Sequence, residues 1–236
     1  YLIDLITFIM SLIALIRLHN IPKPALQEHP SIVSSLKQGI SFALNRQELM
    51  GSYLVDFIAM VFSWPNALLP AIAQSYGGAK TLGLLYSAPA VGALFISFFS
   101  GWTSKIARDG KAIAIAAALW GAAIIGFGLS NSLWLVLFFL ALAGAFDAIS
   151  GIFRTTLWNN TIPTEYRGRL AGIEMISYLC GPKLGDTRAG LIASSFSIST
   201  ALISGGVLSI IGVTVCCLVF PKFWYYRSHQ TSGNAT

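Results

Sequence analysis

Apolar runs long enough to cross a bilayer constrain this chain more than any other feature. A spanning helix needs about 20 mostly apolar residues, and such stretches occur at Gly51–Gln74, Leu82–Ser104, Ala112–Leu129, Leu133–Trp158, Leu170–Phe196 and Ser199–Phe220. A partial one opens the chain at Leu2–Leu18. The runs are apolar all round rather than striped at period 2 or 3.6, which is the pattern of helices in lipid. Only 10% of the residues are charged, against about 25% in a soluble domain, so most of the chain has no use for water. The expected fold is all-α, a polytopic transmembrane helical bundle whose first partner is the lipid bilayer. Tyr1 stands inside an apolar run with no initiator Met or basic n-region. That start reads as an interrupted helix rather than a signal peptide, so a longer parent is expected.

Orientation follows from the basic residues between the runs. One side carries Arg17, Lys23, Lys37, Arg46, Lys105, Arg108, Lys111, Arg167, Arg169, Lys222 and Arg227, and the other only Lys80. Eleven against one places the C-terminus and the long connection in the cytoplasm. The net charge of +6 is therefore a topology signal, and nucleic acid is not an expected partner. Cys180, Cys216 and Cys217 lie within apolar runs without CxxC spacing, and His19, His29 and His229 lie outside them. No disulfide framework, metal site, cofactor or catalytic set is supported, which argues against an enzyme.

The expected organisation is a partial transmembrane helix at 1–18, a cytoplasmic linker at 19–50, a six-helix bundle at 51–221 and a cytoplasmic tail at 222–236. In the linker, Ile21-Pro22-Lys23-Pro24 cannot continue a helix. Ser31 is expected to cap an amphipathic helix over Ile32–Leu49, with Val33, Leu36, Ile40, Ala43 and Leu44 on its apolar face and Lys37, Asn45 and Arg46 opposite. Such a helix would lie at the membrane surface.

Charges inside spans cost about 2.5–3.5 kcal/mol each on insertion scales and usually face a cavity or a partner. Seven occur here: Asp56, Asp147, Arg154, Glu174, Lys183, Asp186 and Arg188. Asp147 and Arg154, seven apart, share one helix face, as an interhelical lock or as part of a transport route. Lys183 and Asp186, three apart, can pair directly. Asp186 and Arg188 point to different sides, so Arg188 needs another partner or an aqueous mouth. Asp56 is placed near the cytoplasmic end of its helix, as a cap, a snorkelling group or a proton carrier. Trp64-Pro65-Asn66 and Pro70 interrupt the same helix and suit a bending gate. Gly181-Pro182 is expected to weaken the helix bearing Lys183, with Gly185 and Gly190 allowing close approach of a neighbour. Broken, polar helices beside a cavity are how transporters commonly build mid-membrane sites. In the loop Gly101–Lys111, Gly110 is expected to permit a tight turn, while Lys105, Arg108 and Lys111 bond helix-end carbonyls or acidic partners.

Several of these stretches resemble the major facilitator superfamily, in particular its enterobactin-exporter-like branch. They are Leu54-Val-Asp56-Phe-Ile-Ala-Met-Val-Phe-Ser-Trp-Pro65, Phe153-Arg154-Thr, Pro163-Thr-Glu-Tyr-Arg-Gly-Arg169 and Gly181-Pro-Lys-Leu-Gly185-Asp-Thr-Arg188-Ala-Gly190, in family order. Gly101–Lys111 is similar to a degenerate copy of the superfamily's charged loop. The resemblance implies the C-terminal bundle of a twelve-helix, alternating-access transporter, plus the end of the preceding helix, in a plasma membrane such as the bacterial inner membrane. It implies outward movement of a siderophore or other amphipathic small molecule against H⁺, with an N-terminal six-helix half as partner. Asp56, Trp64, Asn66, Asp147, Arg154, Lys183, Asp186 and Arg188 would form the substrate and proton pathway. Gly101, Lys105, Arg108, Gly110 and Lys111 would form a cytoplasmic gating loop. Asn66 stands where the family often has a basic residue, and Lys183 where a small one is expected, so the cavity's charge differs. A multidrug exporter and an inactive half needing a partner bundle are the rival readings.

Overall fold

The computed structural model describes residues 2–17 and 32–228. The Pro22–Pro24 breaker and the Ser31 cap lie outside them. The chain divides into two compact units, Tyr1–Ser35 and Leu36–Thr236. In the first, α1 (Leu2–Ile16) is a single apolar helix whose side chains stand exposed. Then follow α2 (Ile32–Leu44), α3 (Gln47–Ser63), α4 (Leu69–Ser75), α5 (Ala79–Phe98), α6 (Asp109–Leu129), α7 (Leu133–Thr161), α8 (Thr164–Ser195), α9 (Ile198–Val219) and the short α10 (Pro221–Trp224). Among the described residues the regular elements are all helices, which makes the unit a helical bundle.

Among the described residues, five segments are long and apolar enough to cross a bilayer: Gln47–Ser75, α5, α6, α7 and α9. The sequence predicts a sixth span in α8. That helix has the length, 32 residues, but it carries Glu174, Lys183, Asp186 and Arg188 along it and is less apolar than the other five. It nevertheless packs beside α3 and α9, where its polar side chains serve the neighbouring helices. Predicted boundaries also shift: α5 ends at Phe98 rather than Ser104, and α8 begins at Thr164 rather than Leu170. The amphipathic helix ends at Leu44 rather than Leu49, because Arg46 is extended (φ −122°, ψ 104°) and α3 begins at once with Gln47. On α2, Gly39 and Ala43 are buried while Ile40 and Leu44 face outward. Phe42 stacks on Tyr166 (4.5 Å), and Gln38 accepts from Arg169 Nη1 (2.7 Å).

With lipid on the outside there is no hydrophobic driving force between helices, so close backbone packing carries the assembly. Glycines mark several of the crossings. Gly121 of α6 and Gly206 of α9 face one another's backbone, and a Cβ on Gly121 would lie 2.9 Å from the Gly206 oxygen. Gly92 and Gly144 join α5 to α7, against the Ala141 and Pro89 backbones. On α8, Gly185 would meet Met60 O at 2.6 Å, whereas nothing lies within 4 Å of Gly190. Of the two glycines expected to admit a neighbour, Gly185 does so and Gly190 does not. Nor is α8 broken at Gly181-Pro182; it runs unbroken through Pro182.

The segment after α9 belongs to the bundle at least as far as Ser228. Phe223 is fully buried against Gly51 and Gly110. Thr161 Oγ1 donates to the Tyr226 hydroxyl (3.1 Å), and Ser228 N–H to Ala107 O (3.1 Å).

Gly144→Val would drive side-chain atoms into the Pro89 backbone, an overpacking loss of about 1–3 kcal/mol. Gly190→Ala fills open space and should be neutral or stabilising by up to about 1 kcal/mol. Thermal unfolding of the two variants in detergent micelles checks the contrast.

Candidate functional site

The first span is interrupted where Pro65 lacks the N–H that Val61 O would accept in a continuous helix. α3 stops at Ser63, Trp64 turns extended (φ −80°, ψ 114°), and a 3₁₀ turn over Asn66–Leu68 leads into α4. Backbone groups freed within a membrane must be satisfied by protein. Arg188 of α8 does this on one side of the break: Nη2 donates to Phe62 O (2.8 Å), Nε to Val61 O (3.2 Å) and Nη1 to Ala201 O of α9 (3.3 Å). Asp186 does it on the other, its Oδ1 accepting from Ala67 N–H (3.0 Å). The cation meets the carbonyl end of α3 and the anion the amide end of the next turn, which is the sense the helix dipole favours. A Cβ on Gly205 would lie 2.6 Å from Arg188 Nη2, so glycine is what lets the guanidinium reach α9. The two-residue spacing of Asp186 and Arg188 thus straddles the interruption. The predicted Lys183–Asp186 pair is not formed: Asp186 turns to Ala67, and Lys183 is exposed with no ionic partner among the described residues.

A second polar knot lies in the same bundle. Asp56 and Arg154 form a buried ion pair, Arg154 Nη2 donates to the Tyr178 hydroxyl (3.1 Å), and its guanidinium stands 5.8 Å from the Trp158 ring. α3, α7 and α8 are tied together there. Arg154 therefore pairs with Asp56 of another helix rather than with Asp147 seven residues earlier. Asp56 is neither a cap nor a snorkelling group. Glu174, half-buried on α8, forms no ion pair among the described residues.

Asp147, left without an ionic partner among the described residues, lines a cavity of about 300 Å³ at the α3 interruption. Trp64, Pro65 and Asn66 form one wall, Tyr86 and Pro89 of α5 another, and Trp120 of α6 the back. Trp64 and Trp120 meet edge to face at 6.3 Å. The site thus brings Trp64, Asn66 and Asp147 together, and places Asp186 and Arg188 behind the turn that shapes it. Asp56 and Arg154 belong to the neighbouring knot, and Lys183 to an exposed face of α8. Tyr86, Pro89 and Trp120 were not foreseen. Pro89 inside a span was a legible signal; nothing in the sequence pointed to Tyr86 or Trp120. A pocket of this size, with aromatic walls and two polar groups, suits part of a planar or amphipathic molecule.

The expected gating loop is built differently from its prediction. Ser100–Lys105 is a 3₁₀ turn, and Gly110 lies inside α6, where a Cβ would run into the Phe223 backbone. Gly110 is thus needed for contact with α10, not for a turn. Lys111 Nζ stands 5.8 Å from the Trp224 ring. Gly101 has open space about it, and Lys105 and Arg108 are exposed.

A family model described as Major Facilitator Superfamily matches residues 49–235. Over 200 residues the chain is 30% identical to an enterobactin exporter of Citrobacter koseri, an alignment covering 84% of this chain and 48% of that protein. The chain spans about half the length of the curated relative it matches. No solved structure matches it.

Removing either partner of a buried ion pair strands the other charge and costs about 3–5 kcal/mol. Asp56→Asn and Arg154→Gln should each destabilise by about that much, and the double variant by clearly less than their sum. A double-mutant cycle of unfolding in mixed micelles measures this, and additive losses would rule the pair out as a unit.

Proposed function

Since this chain belongs to the Major Facilitator Superfamily, we propose that it forms the C-terminal bundle of a two-bundle transporter, which carries an amphipathic small molecule outward by alternating access. The observation that carries this reading is the cavity at the α3 interruption, where Asp147 and Asn66 stand among Trp64, Tyr86 and Trp120. An acceptor carboxylate without an ionic partner, in a largely apolar hollow, is costly unless what enters supplies a cation, a proton or a hydrogen-bond donor. The aromatic walls offer flat apolar surface for a ring. Similarity to an enterobactin exporter supports export as the direction and a siderophore, or a compound of like character, as cargo. Coupling is assigned to protons, with Asp147 as the group that meets them, and the membrane to the bacterial plasma membrane with the C-terminus inside.

In this mechanism the interruption of the first span is the moving part. α3 and α4 are joined by a 3₁₀ turn rather than a continuous helix, and Asp186 and Arg188 hold the two sides of that turn to α8. A shift of α8 against α3 would carry the turn, and with it the Trp64–Asn66 wall of the cavity. Lys183 and Tyr178, on exposed parts of α8, would face the second bundle and the path between the two. Lys105, Arg108 and Lys111 would latch the cytoplasmic end.

Asp147→Asn should lower export by about tenfold or more, the equivalent of one lost charge-assisted hydrogen bond of about 1.5–3 kcal/mol. Lys80→Gln, in the first turn of α5 at the opposite end of that helix from the Gly101–Lys111 loop, should leave it unchanged. Efflux of a catecholate compound and of a cationic dye from cells expressing each variant reads this out. Full export of both compounds by Asp147→Asn would remove the cavity from the transport path. Loss of dye export alone would turn the substrate assignment toward a multidrug exporter. Because the chain spans about half of its relative, a half-transporter working with a separate bundle is the second reading. An antibody against Gln230–Thr236 separates the two: a native species about twice the 25.3 kDa of this chain supports the single-chain transporter, and one at that mass supports the half.

A further inference from the structure

Two apolar grooves flank the N-terminal turns of α6, one on each side of Ile115. The first, about 390 Å³, runs between α6 and α7 and is walled by Trp102, Leu119, Phe146 and Phe153, with Arg108 and Lys111 at its mouth. The second, about 460 Å³, runs between α6 and α9 and is walled by Ala118, Val213 and Leu218, with Trp224 and Tyr225 at its mouth. Ile115 lines both and is 43% exposed, so it forms a ridge between two parallel troughs. Lys111 bridges the two mouths, since it lines the first and its ammonium reaches the Trp224 ring of the second.

The chemistry at the mouths differs from that in the troughs. Arg108 and Lys111 have no acidic partner among the described residues. Asp109, in the same turn, is buried and lines a separate hollow with Ser228. Trp102 lines the first trough with these cations, and Trp224 and Tyr225 line the second, Trp224 with its ring 5.8 Å from Lys111 Nζ. Aromatic rings beside cations are typical of a membrane interface. Below them the walls are apolar. Two apolar troughs meeting at one pair of unneutralised cations match one kind of molecule: two hydrocarbon chains joined to a single anionic head.

We propose that this end of α6 is a binding site for an acidic diacyl phospholipid, its phosphate held between Arg108 and Lys111 and its acyl chains laid on either side of Ile115. Basic pockets between helices are a known way for membrane proteins to select anionic head groups. The site lies apart from the cavity at the α3 interruption and does not depend on what the protein transports. An occupied site would bridge the loop before α6 and the α10 segment, whose contacts otherwise meet at Gly110 and Ala107.

The test is native mass spectrometry of the protein purified in detergent and offered phosphatidylglycerol, phosphatidylcholine or single-chain lysophosphatidylglycerol. The expected result is tighter retention of phosphatidylglycerol than of either other lipid. In Arg108→Gln and Lys111→Gln that retention should fall about fivefold per charge removed, while Lys80→Gln, a change at a basic residue in the first turn of α5, should keep it. Equal retention of phosphatidylglycerol and phosphatidylcholine by the unaltered protein would overturn the proposal without any variant. So would unchanged retention in the Arg108→Gln, Lys111→Gln double variant, or an equal loss in Lys80→Gln. Retention of the single-chain lipid as tightly as the diacyl one would overturn the two-trough seat.

Discussion

A backbone carbonyl cannot stay unpaired in hydrocarbon, and much of this bundle's arrangement follows from how one set of them is satisfied. Pro65 ends α3 and frees Val61 O and Phe62 O in the middle of a span. A water-soluble protein could leave such groups to solvent; here a neighbouring helix must supply the donors. Arg188 supplies them, and its fork geometry serves three carbonyls on two helices at once. That fixes the height of α8 against α3, requires glycine at 205 so that α9 can come close, and sets Asp186 opposite the amide of Ala67. The charges that α8 carries are in part the groups that let the first span be interrupted.

The other crossings reinforce this arrangement without polar groups. Gly121 with Gly206, Gly92 with Ala141, and Gly144 with Pro89 bring backbones into direct contact, where dispersion between many close atoms replaces the hydrophobic effect that lipid does not provide. The Asp56–Arg154 pair then ties α3 to α7, and Tyr178 adds α8. What these ties leave open is the hollow beside Asn66 and Asp147. Asp147 differs from the other charges in that none of the knots uses it, and that is why it, rather than Arg154, bears on what could enter.

The helices were legible because they follow from local chemistry. Apolar runs gave their positions to within a few residues, and the Trp64-Pro65 interruption was visible because proline removes a donor wherever it stands. Partners were less legible. A spacing of seven places Asp147 and Arg154 on one face but says nothing of which helix that face meets, and Arg154 meets Asp56 on α3. A spacing of three permits Lys183 to reach Asp186, yet the amide of Ala67, freed at the interruption, is the partner Asp186 takes. Gly110 looked like a turn residue because glycine has two uses, positive φ and close approach, and sequence does not distinguish them. Among the described glycines, positive φ angles belong to Gly77 and Gly78, and Gly110 makes room for Phe223.

Sequence by itself determined that this chain is an all-helical membrane protein, roughly where its helices begin and end, which span is interrupted, and to which family it is akin. The first three rest on properties carried by a single run of residues, its length, its apolarity and its prolines; the kinship rests on a resemblance in stretches such as Leu54–Pro65 and Gly181–Gly190. Only the tertiary structure decided which charges neutralise one another, that Asp186 and Arg188 repair the interrupted helix from outside it, and that Asp147 is left facing a cavity. Those depend on which helix faces which and at what height. Close packing of glycines and the demand of unpaired backbone groups set that geometry across residues more than a hundred positions apart, beyond the reach of any local pattern.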